Sequence, residues 1–218
     1  MADDLGPEPF GQTPSQTVGP FFHYSLPWRG GADLVGQSDL GARPDLFPPS
    51  HDRLTASRKH GPVTGEIIEI TGRVLDGDGA AVPDALIEIW QANAAGRYAS
   101  PADARAELPL DPNFLGFGRA ATAADGTYRF RTIRPGRVPG PGNSLQAPHI
   151  AIGILGRGLL KRLVTRLYFA GEAGNDEDPI LALVPESRRP TLFAVEAEGV
   201  WRFDIILHGP RETVFFDC

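Results

Sequence analysis

Short runs of alternating apolar and polar residues lie along the chain, and turn-forming residues separate them. A period of two is typical of half-buried β-strands rather than of helices. From residue 65 onward the runs lie at residues 66–75, 85–92, 117–122, 127–133, 147–155, 163–169, 191–196, 200–207 and 212–216. Only residues 180–184 suggest a helical turn. The pattern therefore predicts an all-β fold, a two-sheet β-sandwich of about nine short strands.

Residues 1–64 show no strand pattern and are rich in Pro, Gly, Asp and Ser. A long stretch without regular structure is unusual inside a compact domain, and it is usually functional, disordered or engaged with a partner. We therefore predict a long irregular N-terminal arm over residues 1–64, which docks on another surface, and a β-sandwich over residues 65–218. The alternative interpretation of the arm is a tail that lies on its own domain.

Composition and charge narrow the classes of partner. The formal net charge is −6 and the sequence pI is about 5.4, whereas nucleic acids and anionic membranes bind basic surfaces. Cys218 is the single cysteine, which excludes a disulfide framework and a thiolate metal cluster within one chain. The sequence has neither a transmembrane-length apolar run nor a signal-peptide pattern at its N-terminus. We therefore expect a cytoplasmic protein with no nucleic-acid or membrane partner.

The run at residues 147–155 is almost wholly apolar, and His149 lies near its start, directly after a loop rich in Pro and Gly. Imidazole is a common metal ligand, so this strand raises the question of a metal site. The remaining histidines are scattered, and no H-x-H or H-x-x-x-H pair exists. A metal site built by this chain would need His149 together with oxygen ligands from distant loops.

Other motifs that carry chemistry are missing from the sequence. Neither a phosphate-binding glycine motif between a strand and a helix nor a G-x-S-x-G nucleophile turn occurs. The acidic residues Asp176, Glu177 and Asp178 lie in a loop that we expect to be solvated. The residues alone therefore indicate a soluble β-sandwich with one suggestive histidine.

A series of short motifs nevertheless extends over nearly the whole chain. They are TPSQT-x-GPF at residues 13–21, IEIWQA at 87–92, GRY at 96–98, FGR at 117–119, DG-x-Y-x-F at 125–130, IRPG at 133–136, PHI at 148–150, TRLYF at 165–169 and ETVFFD at 212–217. In this order they resemble the intradiol ring-cleaving dioxygenases. Each motif is weak alone, but together they are highly specific.

The resemblance implies a metal chemistry for which this chain lacks half of the ligands. The family holds a non-haem ferric ion with two tyrosines and two histidines, and uses O₂ to cleave a catechol between its hydroxyl-bearing carbons. Tyr98 matches the first tyrosine and His149 the first histidine. Val138 and Ala151 stand at the other two positions, and neither offers a donor atom. Gln146 stands where the catalytic chains carry an arginine. We therefore expect a vestigial site without metal.

The resemblance also implies a partner. In the family, homologous alpha and beta sandwiches pair as αβ protomers of a larger oligomer, and the beta chain holds the Fe(III). This chain resembles an alpha chain, which holds no cofactor itself and lines part of the substrate pocket. The arm over residues 1–64 is then the segment that we expect to pack on the beta chain.

By the same resemblance, the substrate is a small aromatic carboxylate, and this chain contributes binding residues but no catalytic residue. The binding residues are Thr17, Gly19, Pro20, Phe21 and Arg157. Phe21 departs from the tyrosine often found at its position. Arg157 offers a guanidinium, which suits a carboxylate; the alternative interpretation is a solvated arginine in a turn.

Two other functions stay open at this point. A self-sufficient homomeric dioxygenase would recruit other donors, such as His23 or His208. A non-enzymatic β-sandwich would serve as a binding or assembly module. For His149 we favour a core histidine with a backbone partner, and for Tyr98 a packed loop tyrosine.

Overall fold

β-Strands make up most of the regular structure in the computed structural model, which describes residue 19, residues 30–36 and residues 61–217. In chain order they are β1 (Ile67–Leu75), β2 (Leu86–Trp90), β3 (Phe117–Ala121), β4 (Thr127–Ile133), β5 (Val138–Pro139), β6 (Leu145–Gln146), β7 (His149–Leu155), β8 (Leu163–Phe169), β9 (Phe193–Ala197), β10 (Val200–Arg202) and β11 (Ile205–Ile206). Short 3-10 helices lie at Ala173–Glu177, Leu181–Leu183 and Glu186–Leu192. No helix in the described residues is long and apolar enough to cross a membrane. The predicted all-β fold is confirmed.

Two sheets form the sandwich and share one core. In the first sheet, β1 pairs antiparallel with β4 and parallel with β10 and β11, while β10 pairs antiparallel with β9. In the second, β7 lies between β2 and β8, and β3 flanks β2, all antiparallel. A short parallel contact between β8 and β9 joins the sheets. Side chains from both sheets meet in one buried cluster, among them Ile70, Phe130, Ile87 and Ile152.

Alternation within β7 decides which of its residues face this core. Ile150, Ile152 and Ile154 are buried and belong to the shared cluster. Because successive side chains of a strand point to opposite faces, His149 and Ala151 lie on the other face of the sheet. His149 and Ala151 therefore lie beside residues of β2 and β8 on the outer face of this sheet.

The strand predicted at residues 212–216 is wrong. The Thr213 N–H donates to the Ile206 carbonyl at 2.9 Å, and the Phe216 N–H donates to the Val164 carbonyl at 2.8 Å. The segment thus divides its hydrogen bonds between β11 and β8, so it forms no continuous ladder with either strand.

Two other elements differ in detail from the prediction. The run at residues 200–207 is divided between β10 and β11, and at this point the Asp204 carboxylate, rather than a backbone carbonyl, accepts the Arg73 N–H at 2.8 Å. The Pro- and Gly-rich loop before β7 contains a hairpin, in which Val138 of β5 pairs with Gln146 of β6. The helical turn predicted at residues 180–184 is present as a 3-10 helix.

Part of the predicted arm lies on the sandwich of its own chain. The Leu34 N–H donates to the Arg131 carbonyl, and the Arg119 N–H donates to the Gly31 carbonyl, both at 2.8 Å. Leu34 is buried and joins the shared core. Residues 30–36 therefore follow the alternative interpretation of the arm. The division into residues 1–64 and 65–218 stays a prediction.

One close approach in the fold leaves no room for a side chain. Tyr128, which is opposite Gly72 in the β1–β4 ladder, donates its hydroxyl hydrogen to the Phe203 carbonyl oxygen at 2.5 Å. The same carbonyl lies so close to Gly72 that an added Cβ would overlap it. Glycine at this position therefore allows β1 and the segment around Phe203 to pack together.

Gly72→Ala is expected to lower the free energy of unfolding by about 2–3 kcal/mol, because the Phe203 backbone must shift to admit the methyl group. Gly156→Ala is the matched control, since the nearest atom to an added Cβ there is 3.8 Å away, an ordinary van der Waals contact. Urea unfolding of both variants measures the difference. Equal stability of the two variants would contradict this account of the packing.

Candidate functional site

A cavity of about 550 Å³ opens on the outer face of the second sheet, at the end where β7 begins. Its walls come from the end of β2, the loop after it, the β5–β6 hairpin, β7 and β8. The residues that matter for its chemistry are Trp90, Tyr98, Val138, Gln146, His149 and Arg166. The structure therefore brings together Tyr98, Val138 and His149, which the sequence analysis singled out.

The strand register explains how this group assembles. Ala151 pairs with Trp90 of β2 on one side and with Arg166 of β8 on the other. His149 pairs with Tyr168. Since directly paired residues in antiparallel strands point to the same face, all five side chains lie on the outer face. Ala151 is thus flanked by an indole and a guanidinium.

His149 is a packed, neutral histidine. Only 6% of the residue is exposed, and its Nδ1 lies 2.8 Å from the Ala147 carbonyl oxygen. We assign the proton to Nδ1, because that atom faces an acceptor. Burial lowers the pKa of His149 to about 4, and the positive charge of Arg166 acts in the same direction. The sequence analysis favoured a core histidine with a backbone partner, and the Ala147 carbonyl is that partner.

Tyr98 also lines the cavity. Its ring stacks on Trp90 with a centroid separation of 5.7 Å and an interplanar angle of 15°. Burial raises the pKa of Tyr98 above that of a free tyrosine, so the phenol keeps its proton at neutral pH. A phenolate ligand would have to lose that proton first.

An ion pair fixes the loop that carries Tyr98. The Asp103 carboxylate accepts the Tyr98 N–H at 2.8 Å and the Arg105 Nε–H at 2.7 Å. The hydrogen bond from Arg105 holds the pKa of Asp103 well below its usual range. Arg105 also donates to the Gly96 carbonyl at 2.8 Å. Its charge is therefore compensated within the loop.

Arg166 brings a second guanidinium into the cavity. Its Nη1 donates to Gln146 Oε1 at 2.5 Å and to the Tyr168 hydroxyl at 3.3 Å. Both acceptors are neutral, and no carboxylate of the described residues lies within 4.0 Å of this guanidinium. Among the described residues, Arg166 therefore has no direct ion pair; the Tyr168 hydroxyl that it contacts also hydrogen-bonds the buried Asp178 carboxylate.

Asp178 anchors the backbone in front of the histidine strand. Its carboxylate accepts the Ala147 N–H at 2.7 Å and the Ile180 and Leu181 N–H groups at 2.8 Å. The Tyr168 hydroxyl lies 3.3 Å from the same carboxylate. The expectation of a solvated acidic loop is therefore wrong for Asp178, which is 1% exposed, because four donors converge on it.

Comparison with known proteins assigns this arrangement to a family. A family profile described as Dioxygenase matches residues 45–209. The protocatechuate 3,4-dioxygenase alpha chain of Burkholderia cepacia is 41% identical over 215 residues, which cover 94% of this chain and 97% of that one. The chain belongs to the intradiol dioxygenase family.

Two further comparisons extend this result. The protocatechuate 3,4-dioxygenase beta chain of Burkholderia cepacia is 43% identical over 192 residues, which cover 84% of this chain and 79% of that one. The solved structure of 3-chlorocatechol 1,2-dioxygenase from Rhodococcus opacus 1CP gives a TM-score of 0.53 at 24% identity, over 69% of this chain and 63% of that one. The latter likeness shows the shared fold.

Intradiol dioxygenases depend on non-haem ferric iron, and the cavity residues do not fit that ion. Val138 lines the cavity and Ala151 lies on the same face of β7, and neither carries a donor atom. Arg166 adds a positive charge where a cation would bind.

Of the two additional donors named for a homomeric dioxygenase, the structure describes only His208. His208 has a side chain that is 85% exposed and lies 3.7 Å from the Glu212 carboxylate, and it does not line the cavity. His23 lies outside the described residues.

The two predicted substrate-binding residues that the structure describes, Gly19 and Arg157, do not line this cavity. Arg157 follows β7 at the end opposite His149, forms an ion pair with Asp84, and has a side chain that is 56% exposed. Gly19 is exposed, and an added Cβ there would meet nothing within 4 Å. Their binding role stays a prediction. The other predicted binding residues lie outside the described part of the chain, namely Thr17, Pro20 and Phe21.

The lowered pKa of His149 makes the free energy of unfolding depend on pH. The pKa is about 4 in the folded chain and about 6.5 in an unfolded chain. Between these values the unfolded state binds more protons, so the free energy of unfolding falls as the pH is lowered from 6.5 to 4. The slope is up to about 1.4 kcal/mol per pH unit.

Urea unfolding of the wild type and His149→Gln between pH 7 and pH 4 isolates this contribution, because every other titrating group is shared. The variant is expected to lose stability less steeply on acidification. His208→Gln, which removes an exposed imidazole, is the control and should keep the wild-type slope. A wild-type slope in His149→Gln would show that burial does not shift this pKa.

Proposed function

We propose that this chain is the alpha subunit of an intradiol dioxygenase that cleaves protocatechuate with O₂ to 3-carboxy-cis,cis-muconate. The chain lines the substrate pocket, while a homologous beta chain holds the ferric iron. The observation that carries the proposal is the ligand set around His149. Val138 and Ala151 replace two donors, and Arg166 supplies a fixed cation beside them.

The similarity to both chain types supports a heteromeric assembly. A sandwich that is 41% identical to an alpha chain and 43% identical to a beta chain has the architecture of either subunit. Coverage favours the alpha chain, at 97% of its length against 79% of the beta chain. We infer αβ protomers within a larger oligomer, which works in the cytoplasm and binds neither nucleic acid nor membrane.

The position of Arg157 supports a contribution to a partner's site. Because it lies beyond the far end of β7 from His149, it is remote from the cavity of its own chain. Its guanidinium forms an ion pair with Asp84 but stays half-exposed, so its remaining N–H groups can bind the carboxylate of an aromatic acid and orient the ring. The arm residues Thr17, Gly19, Pro20 and Phe21 would cover the same pocket and keep water out.

Ferric iron, when bound in the partner, would supply the oxidative chemistry of ring cleavage. The contribution of this chain is confined to binding and orientation. Loss of this chain should therefore affect substrate capture and pocket closure rather than the metal ligands.

The first prediction concerns activity. This chain alone is expected to show no protocatechuate-dependent O₂ uptake, because its cavity lacks the ligands for iron. Mixing it with the homologous beta chain should give uptake in proportion to complex formed. Turnover by this chain alone would favour the homomeric dioxygenase. Full turnover by the beta chain alone would favour a non-enzymatic assembly module.

The second prediction concerns Arg157. In the αβ complex, Arg157→Gln is expected to lower kcat/KM for protocatechuate about ten- to a hundredfold, since a hydrogen bond between charged groups contributes about 1.5–3 kcal/mol. Turnover of catechol, which has no carboxylate, should change little. Arg129→Gln is the control, because the Arg129 side chain is 67% exposed on β4. Equal losses for both substrates, or none, would remove Arg157 from carboxylate recognition.

A further inference from the structure

The cavity around Arg166 has no part in the proposed catalysis, which takes place at the partner's iron. We propose that this cavity is itself a binding site for a small aromatic carboxylate, independent of iron and of turnover.

The charge balance of the cavity favours an anion. Arg166 donates only to neutral acceptors, Gln146 Oε1 and the Tyr168 hydroxyl. The other guanidinium of the cavity, Arg105, is already compensated by Asp103. Asp178 reaches Arg166 only through the Tyr168 hydroxyl, so among the described residues no carboxylate contacts this partly buried guanidinium directly, which is unfavourable. A carboxylate ligand would supply that charge and accept hydrogen bonds from the planar guanidinium.

The walls of the cavity favour an aromatic ring. Trp90 and Tyr98 stack on each other and present a flat surface, and Val138 and Pro139 add apolar area. Aromatic side chains pack well against a planar ring. The volume of about 550 Å³ lies within the usual range for small-molecule sites, roughly 300–1,000 Å³.

The same features disfavour other small ligands. The charge of Arg166 repels metal cations, and Ala151 and Val138 offer them no donor. One guanidinium without a direct ion pair balances a single negative charge, so a monoanion fits better than a dianion. A carboxylate attached to a single ring therefore matches both features: the carboxylate can pair with Arg166, and the ring can pack against the aromatic side chains.

The test is isothermal titration of the full chain, without partner or iron, using benzoate as the probe. Acetate, which has no ring, and benzyl alcohol, which has no charge, are the matched ligands. Benzoate is expected to bind saturably with a Kd on the order of 1 mM or tighter. Acetate and benzyl alcohol should bind at least about tenfold more weakly.

Two variants remove the positive charge in different ways. Arg166→Gln deletes the guanidinium, and Gln146→Glu places a carboxylate on it at a position that is already within hydrogen-bond distance. Each should weaken benzoate binding at least about tenfold, while the exposed-site control Arg129→Gln keeps the wild-type affinity. If Arg166→Gln does not fold by circular dichroism, Gln146→Glu still decides the result.

Absence of saturable benzoate binding by the wild type would overturn the proposal. So would an unchanged affinity in Gln146→Glu, or binding of benzyl alcohol as tight as that of benzoate. These results are separate from the test of the αβ dioxygenase, because no partner, iron or turnover enters the measurement.

Discussion

The antiparallel register between β7 and β8 sets Arg166 directly beside Ala151, and the chemistry of this chain depends on that pairing. With alanine at this position, the outer face of the sheet has room for a guanidinium between Tyr98 and His149. Its charge acts with burial to keep the His149 imidazole neutral. The cavity that matches the metal site of the family therefore contains a guanidinium in this chain. A positively charged guanidinium favours anionic ligands.

The length of β7 separates the two places at which we propose ligand binding. The cavity opens at its His149 end, where Asp178 accepts the N–H of Ala147 in the preceding backbone and those of Ile180 and Leu181 in its own loop. Arg157 follows its other end and projects half-exposed from a turn. In a pair of homologous sandwiches, one chain can therefore keep the scaffold of the metal pocket while contributing a binding residue elsewhere. Ile150, Ile152 and Ile154 pack into the shared core on the other face of β7 and take part in neither proposed binding site.

Much of the fold could be predicted because alternation reports burial directly: β4 and β8 have the bounds that their patterns indicate. The segment at residues 212–216 has the same alternation, but two different strands share its hydrogen bonds. The loss of ligands at Val138 and Ala151 could be predicted from the family pattern. The roles of Arg166 and Asp178 could not, because each depends on partners 20 or more residues away. A charged residue between the buried residues Thr165 and Leu167 was the one local signal for Arg166.

The central claim is that this chain, although an intradiol dioxygenase by family, holds no ferric iron. Its most direct test is the iron content of the full chain, purified alone after expression with ample iron, measured by elemental analysis together with the visible spectrum. We predict a colourless protein with far less than one iron per chain. Nearly one tightly bound iron per chain, with the red-brown absorption of ferric tyrosinate, would contradict the account.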